Sequence, residues 1–269
     1  MDDHIDMTKN IALITGASRG LGLALAKALH KEGYSIYGTS RNPSEHAHLE
    51  FITFLELDLK DLASIDRLAE SLPDVDVLVN NAGYSQIGSV EEIPIENLKN
   101  IFDINLLHQI YLTQKFIPGM RMRKKGIIVN ITSMAGTVPV PFSTIYASVK
   151  GGFDAFSKGL RNELSAYGIK VIAVAPFQMH TTIPQSKDYI ESSPYTDNIK
   201  KAKRFRDLVL DQAEEPEYIA RQVIGIIRKN NPAPHNPVGK GARRKTWLIW
   251  LLPQKMVERI VRRRFGLDY

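Results

Sequence analysis

The run N-I-A-L-I-T-G-A-S-R-G-L-G, from Asn10 to Gly22, joins a short apolar segment to a glycine-rich turn, and the residues after it change period. Asn10 to Thr15 reads as a strand buried on both faces, apolar without alternation and ended abruptly by glycine. Leu21 to Glu32 then carries apolar residues at helical spacing, with Gly33 as a stop signal. Strand, glycine turn and helix is the setting in which such a turn binds an anion. Gly16 permits the tight turn, and Gly20 and Gly22 let backbone N–H groups approach a pyrophosphate at the positive end of the helix. The spacing is Gly-x-x-x-Gly-x-Gly, and a turn glycine with two packing glycines is the structural alternative.

Working outward, the same alternation repeats. Strands are expected at 35–39, 53–57, 75–79, 126–131 and 170–175, with helical spacing at 62–72, 95–120, 146–167 and 217–229. Strands alternating with helices predict an α/β fold: a doubly wound, Rossmann-like parallel sheet with helices on both faces. Ligands of such sheets bind beyond the carboxyl ends of the strands. Those ends carry Ser40-Arg41, Asp58, the small-residue segment Asn81-Ala82-Gly83, and Thr132-Ser133. After the second strand an NAD site places a carboxylate for the ribose 2′-hydroxyl. Here that acid is missing, Arg41 stands in its place, and Arg19 lies in the glycine loop. Guanidinium suits a 2′-phosphate, so NADP(H) is expected ahead of NAD(H).

Ser133 opens the stretch S-M-A-G-T-V-P-V-P-F-S-T-I-Y-A-S-V-K, which ends at Lys150. On a helix Tyr146 and Lys150 share one face, where an ammonium favours the phenolate and makes tyrosine a usable acid or base. Ser133 is placed to hydrogen-bond the same substrate oxygen. A second Tyr-x-x-x-Lys match, Tyr111 to Lys115, has Leu98 where the first has its serine, and reads as an ordinary helix face. Asn105 lies among apolar neighbours, and a structural hydrogen-bonding role is open to it as much as a functional one.

The 269 residues suffice for one sizeable core, and 43% apolar with 24% charged is globular composition. There are no cysteines, which excludes disulfides and thiolate metal sites, and the seven histidines are scattered without ligand spacing, so no metal is expected. The polar start M-D-D-H-I-D-M-T-K-N carries neither a secretory nor a transit signal, and no apolar run reaches spanning length, so a cytoplasmic protein is expected. The net charge of +6 belongs to the tail. Lys240 to Arg264 holds nine bases and one acid, Glu258, leaving a body near −2.

The chain therefore divides into a catalytic domain over 8–231, with a polar helical lid at about 180–213, and a basic, apolar extension over 232–269 that begins in a Pro/Gly-rich connector of low order. The extension, with W-L-I-W-L-L and M-V-E-R-I-V-R-R-R-F, suits three roles. It could cover the substrate mouth, pack against another subunit, or contact an anionic membrane surface through 240–264, which would make the protein membrane-peripheral. No nucleic-acid motif accompanies it.

Together, T-G-A-S-R-G-L-G at Thr15 to Gly22, N-A-G at Asn81 to Gly83, Asn105, Ser133 and Y-A-S-V-K at Tyr146 to Lys150 resemble the short-chain dehydrogenase/reductase family over residues 8 to 230. The run I-P-G-M-R at Ile117 to Arg121 and the basic tail look like the branch with 17β-hydroxysteroid and retinol dehydrogenases. The resemblance implies a catalytic set of Asn105, Ser133, Tyr146 and Lys150. In it Lys150 also bonds the nicotinamide ribose, and Asn105 holds a water linking Lys150 to solvent. It further implies cofactor contacts at Gly16, Ser18, Arg19, Gly20, Gly22, Arg41, Asp58 (to the adenine amino group), Asn81, Ala82, Gly83, Tyr146, Lys150, Pro176 and Thr181, and a homodimer or homotetramer. One departure is Phe177, where the family carries glycine after Pro176; the backbone there is expected to run differently, with Phe177 forming an apolar wall. Val140, Phe142, Met179 and Trp247 are further candidates for the pocket. The implied function is NADP(H)-dependent hydride transfer to or from an apolar carbonyl or secondary alcohol, of steroid, retinoid or other lipid-like type. A non-catalytic NADP(H)-binding sensor or scaffold is the rival.

Overall fold

The computed structural model describes residues 10–72, 74–180, 183–187 and 193–267. Its elements begin with β1 (Ile11–Ile14), α1 (Gly20–Lys31), β2 (Ser35–Ser40), β3 (Ile52–Glu56), α2 (Leu62–Ser71), β4 (Val77–Asn80) and β5 (Ser85–Ile87). There follow α3 (Ile95–Phe102), α4 (His108–Arg123), β6 (Gly126–Ile131), α5 (Thr144–Leu164) and β7 (Ile169–Pro176). The chain continues through β8 (Gln185–Lys187), α6 (Thr196–Leu210), α7 (Pro216–Ile227), β9 (His235–Val238), α8 (Ala242–Leu251) and α9 (Gln254–Arg264). Seven strands form one parallel sheet in the order β3-β2-β1-β4-β6-β7-β9.

The apolar run of β1 is unbroken because both faces of the sheet are covered. Ala12 and Ile14 pack with Leu21, Leu25 and Leu29 of α1 and Ile219 and Val223 of α7. Ile11 and Leu13 join Ile65 and Leu68 of α2, Leu112 and Phe116 of α4, and Leu160 of α5. Each strand thus buries side chains on both sides, the arrangement that removes polar alternation from a parallel sheet. A buried polar chain ties the central strands to the helices beneath the site. Asn80 donates to Thr113 Oγ1 and Asn130 Oδ1, each at 2.8 Å, and Asn130 donates to Ser157 Oγ at 2.8 Å.

The structure departs from the sequence expectations in three places. The Pro/Gly-rich connector after residue 231 is ordered as β9, which pairs with β7 from Ala173 opposite His235 to Pro176 opposite Val238. Pro237 is tolerated because β9 is the edge strand, where a missing donor costs no ladder bond on the open side. The boundary expected at 231–232 therefore runs into the main sheet. The long helix expected over 95–120 is interrupted by a π turn at Asp103–Leu107, which carries Asn105. Finally, β5 and β8 make a separate two-stranded parallel sheet that fastens residues 185–187 to the segment after Gly83, with Ser85 opposite Gln185. No described helix is long and apolar enough to cross a membrane.

Candidate active site

The glycine turn and the start of α1 form one end of a cavity of 1310 Å³ along the carboxyl edge of the sheet. Gly16 and Gly20 have φ of +66° and +55°, which glycine adopts without strain. Gly22 lies under the turn: a Cβ there would sit 2.1 Å from the Gly16 carbonyl oxygen, so only glycine lets the helix start this close. No side chain caps α1 and its first turn holds no acid, leaving its N–H groups and the helix dipole to act on an anion. Thr15 and Asn81 clamp the two loops together. Thr15 Oγ1 accepts from the N–H groups of Asn81 and Ala82, both at 2.9 Å, and Asn81 Nδ2 donates to Thr15 O at 2.9 Å.

Arg19 and Arg41 are exposed on the cavity wall, and among the described residues neither forms an ion pair. Two unpaired guanidiniums beside an uncapped helix start suit a phosphate-bearing dinucleotide. Sequence reasoning passed over Glu45 and His46, which line the same region. Glu45 accepts from Asn42 Nδ2 at 2.9 Å, and His46 Nε2 lies 3.0 Å from Ser40 Oγ. Asp58 also lines the cavity, with its carboxylate accepting from Lys60 N at 2.9 Å.

At the far end Ser133, Tyr146 and Lys150 converge. Ser133 closes β6 into a short 3-10 turn, where its hydroxyl accepts from Ala135 N at 3.1 Å and hydrogen-bonds Tyr146. Gly136 lets that turn rest on α5; a Cβ there would lie 2.7 Å from Gly151 N. Burial pushes the Tyr146 phenol above its usual pKa, while the Ser133 hydrogen bond and the Arg206 charge act downward. Lys150 is buried, its ammonium donates to Ile131 O at 2.8 Å, and Nζ lies 5.9 Å from the Tyr146 ring centroid. Desolvation pulls the Lys150 pKa down to about 8. Arg206, on α6, had no signal in the sequence, since only the fold brings α6 and Tyr146 to one cavity.

Asn105 is brought to the loop and not to the cavity wall. Its Nδ2 donates to Tyr84 O at 2.6 Å and its Oδ1 accepts from Tyr84 N at 3.1 Å, so the buried carboxamide braces the segment after Gly83. Gly83 is required there, because a Cβ would meet Asn105 Oδ1 at 2.8 Å. Tyr111 and Lys115 instead meet Asp66 on the surface, at 2.8 and 2.6 Å, which makes them the ordinary helix face expected.

Gly16, Ser18, Arg19, Gly20, Arg41, Asp58, Asn81, Ala82, Gly83, Pro176, Val140, Phe177 and Met179 all line the cavity together with Ser133, Tyr146 and Lys150. Thr181 lies outside the described residues. Two pocket candidates do not reach the cavity. Phe142, at φ +61°, turns toward Tyr195 with ring centroids 6.3 Å apart, and Trp247 faces solvent while Lys245, Leu248 and Ile249 of the same helix line the wall. The altered backbone expected at Phe177 occurs one residue later, where Gln178 takes φ +48°. Phe177 is covered by Lys245, whose Nζ lies 4.4 Å from the ring centroid.

The family model described as short chain dehydrogenase matches residues 10–190. A 3-ketodihydrosphingosine reductase of Bacteroides thetaiotaomicron is 27% identical over 95% of this chain and 98% of its own. An NADPH-dependent 3-dehydrocapnine reductase of Ornithobacterium rhinotracheale is also 27% identical, over 93% and 95%. Among solved structures, a short-chain dehydrogenase from Streptomyces avermitilis superposes with a TM-score of 0.81 at 27% identity, covering 95% of this chain and 99% of that one.

Proposed function

Since this chain belongs to the short-chain dehydrogenase family, we propose that it is an NADP(H)-dependent oxidoreductase that reduces a ketone on an apolar, lipid-like substrate to the secondary alcohol. The observation that carries this reading is one cavity holding both an open phosphate site, from the α1 start with Arg19 and Arg41, and the Ser133–Tyr146–Lys150 group. Relatives named for reduction of 3-ketodihydrosphingosine and for NADPH-dependent reduction of 3-dehydrocapnine support it.

When bound, NADPH supplies the hydride to the carbonyl carbon. The chain's own residues handle the oxygen. Ser133 orients it by hydrogen bonding, and Tyr146 donates its phenolic proton as the carbonyl becomes an alcohol, a role favoured by a phenol that burial keeps protonated. Lys150 spends one donor on Ile131 O and retains others for a ribose hydroxyl. Asn105 acts at one remove, holding the Gly83–Tyr84 backbone against the cofactor's path. Substrate chains would meet Met134, Val138, Val140, Phe177, Met179 and Phe205, an apolar wall that rewards burial at about 25 cal/mol per Å².

The test is steady-state reduction of a series of ketones of increasing chain length with NADPH and with NADH. We expect alcohol formation with NADPH preferred, and a fall of about 100-fold in kcat/KM for NADPH, with NADH little changed, in the Arg19→Ala/Arg41→Ala double variant. Preference for NADH, or NADPH binding without turnover of any ketone, would overturn the proposal.

A further inference from the structure

The C-terminal helices α8 and α9 present two different faces. Their inner residues, among them Ile249, Val257, Val261 and Phe265, help wall the cavity. Their outer residues mix exposed cations with large apolar side chains. Trp247 is 60% exposed, Trp250 65% and Leu251 62%, while Leu248 (46%) and Ile260 (43%) are exposed and also line the cavity, which puts them on its rim. Trp247, Trp250 and Leu251, at i, i+3 and i+4 of α8, share one face, and large apolar side chains exposed together in this way mark a site of interaction.

Charge identifies the partner. Nine of the thirty-five Lys and Arg of the chain lie between Lys240 and Arg264, and the single acid among them, Glu258, is paired to Arg262. Arg243, Arg244 and Lys245 occupy the first turn of α8, with no acid to offset them, where the helix dipole disfavours cations. A cationic first turn therefore works against the helix and with an external anion. A second copy of the chain meets this face poorly, because a two-fold contact would oppose the same cations. Nucleic acid would use the cations but leave Leu248, Leu251 and Ile260 without a partner. An anionic bilayer takes both, apolar side chains into the acyl boundary and cations among the headgroups.

We propose that α8 and α9 form a docking site for an anionic phospholipid membrane, holding the rim of the cavity against the bilayer. Docking is independent of the catalytic reading; that the bilayer also delivers the substrate rests on it.

The test is co-sedimentation of the full chain with vesicles of phosphatidylcholine alone and with about three-tenths phosphatidylserine, over a range of salt. We expect binding to the anionic vesicles that weakens as salt rises. Arg259→Gln/Arg263→Gln should weaken it by about thirtyfold, two charges near the surface, and Trp247→Ala/Trp250→Ala by about tenfold. All four residues are exposed, and circular dichroism establishes that the variants fold. Equal partitioning of wild type onto neutral and anionic vesicles, or none onto either, overturns docking. So does a loss of oligomer in the tryptophan variant, by light scattering, without an effect on lipid binding, which assigns the face to a second copy. Reduction of a water-soluble ketone at wild-type rate by variants that no longer turn over a vesicle-embedded one supports delivery. Equal rates on the embedded ketone reject delivery and leave the catalytic reading intact.

Discussion

Lys150 is a cation where the fold least favours one. It is buried, and its pKa falls to about 8 from the ordinary 10.5 because burial penalises the ammonium. Below about pH 8 the folded chain carries that charge at a cost, whereas the unfolded chain keeps it in water up to 10.5. The site therefore weakens the fold by about 3 kcal/mol at neutral pH, and the penalty fades as pH rises through the interval between the two values. We predict that Lys150→Met stabilises the cofactor-free protein at pH 7 by about 2 kcal/mol, the relieved charge less one hydrogen bond to Ile131 O, while removing activity. Urea unfolding at pH 7 and at pH 10 measures this, with the gain shrinking at the higher pH. Tyr146 shows the complementary balance: burial holds its proton on, while Ser133 and Arg206 bring it toward release. Spacing paired Tyr146 with Lys150, but it took Ser133 upstream and the place of that serine at the sheet edge to set this pair apart from Tyr111 and Lys115. Arg206 was not, because nothing in a polar lid sequence says which of its arginines the fold turns inward.

At the scale of elements, the glycine turn and α1 do the positioning. Gly22→Ala puts a methyl 2.1 Å from the Gly16 carbonyl oxygen, so the turn or the helix must move. We expect this variant to lose about 1–3 kcal/mol of stability from overpacking and to bind NADP more weakly, as read by thermal unfolding and fluorescence titration. The strands of the central sheet were legible because burial on both faces writes them as apolar runs between glycine and polar turns. β9 was not, since Pro234 just before it and Pro237 within it are strand-breaking signals that do no harm in an edge strand. The π turn at Asp103–Leu107 also escaped, as helical periodicity is blind to one wide turn. Its consequence is visible in Asn105, which reaches back to Tyr84 and steadies the loop from Asn81.

Over the whole molecule, residues separated by more than a hundred positions meet along one edge of the sheet, the glycine loop at one end and Tyr146 at the other. The tail that the sequence left open between cover and membrane contact is seen to be a wall of the cavity on its inner side, with an apolar and cationic outer side. Composition showed both properties of that segment; only the fold separates them onto two faces. The central claim, that this edge carries proton-coupled hydride transfer through Tyr146, is tested most directly by single-turnover decay of bound NADPH on mixing with a ketone, in wild type and Tyr146→Phe. Both proteins should bind NADPH with like affinity, and the phenylalanine variant should decay about 10²–10⁴-fold more slowly. Equal decay rates in the two would contradict it.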